Sequence, residues 1–296
     1  MIYAAIGANA AVAITKFVVA AASSSSSMLS EAFHSTVDTG DQLLLLLGKR
    51  RGARPPDEQH PYGHGKEYYF WGLIVAMVLF GAGGGLSVYE GVRHLLHPRE
   101  LSDPVWVYVV LGVSAFFEAS SWTVAFRELW KSRSGRSLWS ALRGSKDPSV
   151  YTVLAEDSAA LVGLVLAFFG VLLTQITGNP RFDGIASIAI GCVLTLVAAF
   201  LAYETRSLLV GESDPEVART VRRVVESDPT VRSAGAPLTM QLGPDEVLVN
   251  LGVQFRGGLG AEEIARTIDR LEEAIRREHP QVTRVFIEAE RSKCTG

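Results

Sequence analysis

Apolar positions are not spread evenly along this chain. Up to about residue 210 they gather into six long runs, at roughly 2–22, 28–47, 68–92, 104–126, 150–174 and 183–206. A helix needs about 20 mostly apolar residues to cross the hydrocarbon core of a bilayer, and each run is of that order. Beyond residue 210 the pattern changes to short amphipathic stretches rich in Arg and Glu. The chain therefore reads as an α-helical membrane protein. A domain of six transmembrane helices, 1–210, precedes a C-terminal α/β domain, 211–296, that faces water. The first run starts almost at Met1 and is too long for the apolar core of a signal peptide. The first helix is expected to act as the insertion signal, and Ser23 to Ser27 as a short external turn.

The tail has its own period. Asp214-Pro215 opens a helix through about Glu226, with Asp as N-cap and Pro in the first turn. Residues 237–242 and 246–255 alternate as strands around the turn Gly243-Pro244-Asp245. Residues 260–278 form an amphipathic helix with Ile264, Ile268, Leu271 and Ile275 on one face. A last strand runs from Val282 to Glu288. The order αββαβ places helices on one face of a sheet, a small ferredoxin-like domain.

Charge sets the orientation. Lys49, Arg50, Arg51, Arg54 and Lys66 lie between the second and third runs. Arg127, Lys131, Arg133, Arg136, Arg143 and Lys146 lie between the fourth and fifth. The opposite side carries only Arg93, Arg99 and Arg181. Basic loops stay on the cytoplasmic side. The expectation is a multi-pass protein of the inner (plasma) membrane with both termini cytoplasmic. The overall charge of -3 comes with no basic tract suited to nucleic acid. Cys192 and Cys294 fit neither a disulfide framework nor a metal spacing. The third run holds Gly81, Gly83, Gly84 and Gly85, of which Gly81 and Gly85 have the spacing of close helix packing.

The second run departs from the apolar pattern, with Glu31, His34, Asp38 and Asp41. Their 3-4-3 spacing puts all four on one stripe of a helix. A charged residue at mid-bilayer costs on the order of 3 kcal/mol, so such residues face the bundle interior. His34 and Asp38 are i,i+4 neighbours and can reach one ion. The fifth run adds Glu156 and Asp157. An imidazole with carboxylates suits Zn²⁺, with Fe²⁺, Co²⁺ and Mn²⁺ as competitors that the residues do not rank. Neutral His34 with ionised Asp38 and Asp157 balances a divalent charge. Glu156 stands about 100° round the helix from Asp157, so Asp157 ranks first. Glu31 and Asp41 are expected to be structural, and Lys16 can neutralise one acid. No nucleophile–base pair suggests an enzyme.

The segment Ser30-Glu-Ala-Phe-His34-Ser-Thr-Val-Asp38, followed by His60-Pro-Tyr-Gly-His64-Gly-Lys66, resembles the cation diffusion facilitator family. The six helices, the acidic fifth helix, Asp183 opening the sixth and the tail match in order. The stretch from Pro55 to Trp71 looks most like bacterial relatives of the mitochondrial zinc exporter branch. The resemblance implies a homodimeric exporter of Zn²⁺ or a similar ion. It would exchange metal for H⁺ by alternating access, with no cofactor beyond the transported ion. It implies a transport site at His34, Asp38 and Asp157, with Val153 where the family usually has His and Glu156 as a possible substitute. It marks Asp57, His60 and His64 as a second metal site, though Pro61 and Gly63 argue for a turn rather than a helix there. It also suggests a Lys66–Glu212 contact holding the dimer, alongside the C-terminal domain and the membrane helices. His279, Glu288 and Glu290 make no strong tail site. The rival reading is a non-transporting membrane metal sensor.

Overall fold

The computed structural model describes residues 2–132 and 148–290. Arg133, Arg136, Arg143, Lys146 and Cys294 lie outside the described residues. The chain divides into two units, residues 1–50 with 68–206 and residues 51–67 with 207–296. The loop between the second and third helices therefore packs with the C-terminal segment.

Among the described residues, the first unit is built from six long helices. They are α1 (Ile2–Ser23), α2 (Ser26–Gly52), α3 (Lys66–Leu96), α4 (Pro104–Ser132), α5 (Pro148–Thr177) and α6 (Arg181–Val210). Four of them, α3 to α6, are long and apolar enough to cross a membrane. The described apolar part of α1, Asn9–Ser23, is shorter. Helix α2 has the length, but its acids and His34 interrupt the apolar run.

The expected serine turn is narrower than the sequence suggests. Ser24 takes a left-handed conformation, φ 59°, and α2 already starts at Ser26. Asp183 of α6 is the reason. Its carboxylate accepts from the Ser26 and Ser27 backbone N–H groups and from the Ser25 and Ser27 hydroxyls. Those N–H groups have no partner inside α2, and the carboxylate sits at the positive end of the helix dipole. One turn on, Ser30 Oγ lies 2.6 Å from Ser187 Oγ, and the Ser187 hydroxyl donates to the Ser87 carbonyl at 2.9 Å. Hydrogen bonds thus join α2, α6 and α3.

Helices α3 and α6 meet through glycines, but not the expected ones. A Cβ at Gly91 would stand 2.7 Å from the Gly184 carbonyl, and one at Gly191 would stand 2.8 Å from the Gly84 carbonyl. A Cβ at Gly81 would meet nothing within 4 Å, and one at Gly85 only its own helix. The expected Gly81–Gly85 pair is therefore replaced by Gly84 with Gly91, facing Gly191 and Gly184 on antiparallel α6. The physical reason is that Leu79–Gly85 is π-helical. A wider turn shifts the phase of every residue that follows it.

In the second unit the order is αβββαβ rather than αββαβ. Helix α7 (Pro215–Ser227) is followed by β1 (Val231–Ala234), β2 (Leu238–Gly243), β3 (Glu246–Phe255), α8 (Ala261–Glu278) and β4 (Val282–Ala289). Asp214 caps α7 as expected, its Oδ1 accepting from Glu216 N at 2.9 Å and Val217 N at 3.1 Å. Strand β1 has one buried apolar residue, Val231, so its alternation is too short to see in sequence. Antiparallel pairing with the end of β3 makes it a strand. Strand β2 pairs antiparallel with the first half of β3, and β4 runs parallel to β3. Val247, Val249, Leu251 and Val253 point inward from β3 onto Val217, Val221 and Val225 of α7 and Leu271 and Ile275 of α8. Thr267 completes the buried line of α8, while Ile264 and Ile268 are half-buried.

Replacing Asp183 by Ala strips the α2 cap and leaves buried hydroxyls without an acceptor, a loss of about 1–3 kcal/mol. Asp183→Ala should lower the melting temperature of the detergent-solubilised protein, read by intrinsic fluorescence. Gly191→Leu should do the same by forcing α3 away from α6. Arg222→Ala, which removes only the exposed Arg222–Glu226 pair, should leave the melt nearly unchanged.

Candidate metal centres

The four ionisable residues of α2 are not equivalent. Glu31 is fully buried and accepts from Lys16 of α1, Nζ to Oε2 at 3.1 Å. The same ammonium donates to Ser35 Oγ at 2.7 Å. Phe17 and Phe33 pack edge to face beside it. Glu31 also lies against Gly163 of α5, where any Cβ would collide with Oε1. The pair is neutral and fully enclosed, which is how a membrane core tolerates two charges. Lys16 does neutralise one acid, and the acid is Glu31.

His34 is 1% exposed, with neither ring nitrogen hydrogen-bonded. Its Nδ1 stands 3.3 Å from Asp38 Oδ1, close but outside hydrogen-bond geometry. Two unsatisfied imidazole nitrogens in a buried site are costly. A cation or a proton shared with Asp38 would satisfy them. Asp157 of α5 lies in electrostatic reach of Asp38 and takes a hydrogen bond from Ser121 of α4. Glu156, one residue away, turns to Asp41 of α2 instead, and both are buried. Val153 is half-buried one turn before Asp157.

Glu118 of α4 was not singled out in the sequence. It is half-buried and interacts electrostatically with His34, Asp38 and Asp157. A lone glutamate in an otherwise apolar run was the available signal. Among the described residues, the membrane groups line a shared stretch of helix surface. They do not bring three donor atoms within 4.8 Å of one another.

The loop does. Asp57, His60 and His64 each offer a donor atom, all within 4.8 Å of one another. His60 Nδ1 lies 3.3 Å from Asp57 Oδ1, and His64 Nε2 lies 3.4 Å from Asp57 Oδ2. No helix is needed. A turn closes with Gly63 N donating to the His60 carbonyl at 2.9 Å, and Gly63 takes φ +89°, which glycine adopts without strain. The two rings come to 4.4 Å. Gly65 seats the loop against the Leu242–Gly243 backbone, leaving no room for a side chain. His279, by contrast, ends α8, its N–H bonded to the Ile275 carbonyl.

The backbone N–H of His60, donating to Asp57 Oδ1 at 2.6 Å, holds the Asp57 carboxyl below the usual aspartate range. A depressed pKa keeps this group ionised at ordinary pH and loses its charge only below that range.

A bundle of apolar helices with His and acids facing inward, carrying a small α/β tail, describes a membrane metal transporter. The model of the cation efflux transmembrane domain matches residues 2–210. The chain belongs to the cation efflux family, the cation diffusion facilitators. It is 39% identical over 233 residues to the mitochondrial proton-coupled zinc antiporter SLC30A9 of Xenopus laevis, covering 78% of this chain and 42% of that protein. It is 31% identical to metal tolerance protein C4 of Arabidopsis thaliana, covering 83% of this chain and 54% of the relative. It is 27% identical to the cation-efflux pump FieF of Pectobacterium atrosepticum, covering 86% and 79%. The chain thus spans about two fifths of the SLC30A9 antiporter's length and about half of metal tolerance protein C4.

If the loop triad takes a divalent ion, His60→Ala should weaken Co²⁺ binding by at least about tenfold, read by titration of the purified protein, since loss of even an outer-shell partner costs that much. Unchanged affinity in that variant would count against histidine ligation.

Proposed function

We propose that this protein exports a divalent metal ion, Zn²⁺ first among candidates, in exchange for H⁺. The observation carrying this reading is His34, buried with both ring nitrogens unsatisfied beside Asp38, which itself lies within the field of Asp157. Helix α2 completes the crossing as a sixth span together with α1, sheltered by its neighbours rather than by apolarity. Basic loops and both termini face the cytoplasm, and the protein sits in the inner membrane.

In the inward-facing state, neutral His34 and ionised Asp38 and Asp157 capture the ion, with Glu156 in reserve through its contact with Asp41. Metal ligands must be deprotonated, so protons from the acidic side compete for the same atoms and drive release. The two helix groups then rock to alternate access. The Asp57–His60–His64 triad is a second, cytoplasmic metal site. The protein works as a homodimer through its C-terminal domain and membrane helices. Lys66, whose Nζ lies 3.9 Å from Met240 Sδ in its own chain, and Glu212 of the other subunit reinforce it, by at most about 1 kcal/mol. The names of the relatives favour a transporter over the rival reading, a membrane metal sensor without transport.

In proteoliposomes with an inward-directed metal load and a pH gradient, Zn²⁺ flux should fall to background in Asp38→Ala and in Asp157→Ala. Collapsing the gradient with an ionophore should slow the parent. Wild-type flux in both variants would sink the site, and flux indifferent to the gradient would sink the proton coupling. Parallel assays with Mn²⁺, Fe²⁺ and Co²⁺ rank the ions.

A further inference from the structure

The membrane site as drawn has three protein donors. Val153 stands one turn before Asp157 on α5, at the position where the family resemblance implies a fourth ligand, and its side chain cannot bind a metal. Glu156 is turned to Asp41. Four donors are the usual complement for Zn²⁺.

Helix α4 supplies a donor instead. Its register against α5 is set at two points. Tyr108 donates to Gln175 Oε1 at 2.6 Å, and Trp122 Nε1 donates to Ser158 Oγ at 3.0 Å. The helices therefore run antiparallel, and the face of α4 between these points looks onto α5. Glu118 lies on this face, one turn before Trp122. Ser121, between them, bonds to Asp157 itself. Phe126 stacks on Trp122 at 4.8 Å between ring centroids, which holds the indole and so the register. Glu31 and Glu118 are the acids with both His34 and Asp38 as electrostatic neighbours; Glu31 is held by Lys16, which leaves Glu118, with Asp157 beside it. The His34 ring nitrogens and Asp38 Oδ1 are buried without a hydrogen-bond partner.

We propose that Glu118 is the fourth protein ligand of the transported ion, supplied by α4 in place of the donor missing at Val153. This rests on His34, Asp38 and Asp157 forming the transport site. The resulting set is one imidazole and three carboxylates, harder than a site with two imidazoles. Oxygen-rich sets suit Mn²⁺ better than imidazole-rich ones do. Glu118 is thus also a specificity determinant, and Val153 is its counterpart.

The test uses the full chain in lipid nanodiscs, with His60→Ala and His64→Ala removing the loop triad. Co²⁺ binding is followed by visible absorption, and Mn²⁺ by competition. Glu118→Gln should weaken Co²⁺ binding by at least about tenfold, since even outer-shell changes cost that much, and should change the absorption band. Adding Val153→His to Glu118→Gln should restore Co²⁺ affinity and lower the relative affinity for Mn²⁺. If Glu118→Gln fails to fold, Glu118→Met gives the same readout with the same expected loss. Parent affinity and an unchanged band in the Glu118 variant would overturn the proposal. Parent affinity in Asp38→Ala as well would overturn the transport site beneath it. Loss in Asp38→Ala alone would remove Glu118 and leave that site standing.

Discussion

A hydrocarbon core gives a charged side chain no water, so each buried charge in this protein has to be matched by another group. Helix α2 concentrates that demand, with Glu31, His34, Asp38 and Asp41 on one stripe. The structure answers it residue by residue. Lys16 of α1 matches Glu31 inside a closed pair. Asp41 meets Glu156 of α5. His34 and Asp38 stand beside each other, with the acids Glu118 and Asp157 and the Lys16 ammonium in their field. The stripe is thus closed at one end by the Lys16–Glu31 pair, while His34, Asp38 and Asp41 keep unpartnered polar atoms. A cation beside His34 and Asp38 would complete that part, which is the property a transported ion needs from its site.

The same constraint shapes the helix ends. The four leading N–H groups of a helix inside a membrane need acceptors as surely as its charges need partners. Asp183 meets this need for α2 from another helix, and the serines around it convert a low-complexity run into a hydrogen-bonded joint. The glycine seam of α3 with α6 brings backbones together where no apolar driving force would do so in lipid. A joint and a seam of this kind tie α2 to α6 and α3, while Glu31 ties α2 to α1 and α5. Helix α2 is therefore the shared member through which two sets of contacts act on one site.

The loop triad follows a different logic. It lies in the unit that holds the C-terminal sheet, and its geometry comes from a tight turn rather than a helix. Pro61 and Gly63 read in sequence as obstacles to a two-histidine site, yet the turn that Gly63 closes is where His60 and His64 converge. The register of the loop against the Leu242–Gly243 turn depends on Gly65, a contact between residues far apart in the chain.

Six helical runs, the acid stripe of α2, the Asp214 cap and the alternation of β3 were all legible in sequence, because each arises from local periodicity or from neighbours within one turn. The His34–Asp38 pair was legible for the same reason. Strand β1 was not, since it is made by pairing with the end of β3. The choice of Gly84 and Gly91 over Gly81 and Gly85 was not, since a π-helical turn resets the phase. Nor was the sorting of the acids, or the place of Glu118 among them. Local sequence determines which side chains share a face of one helix. Which charge meets which across helices depends on packing and register, and only the tertiary structure decided those.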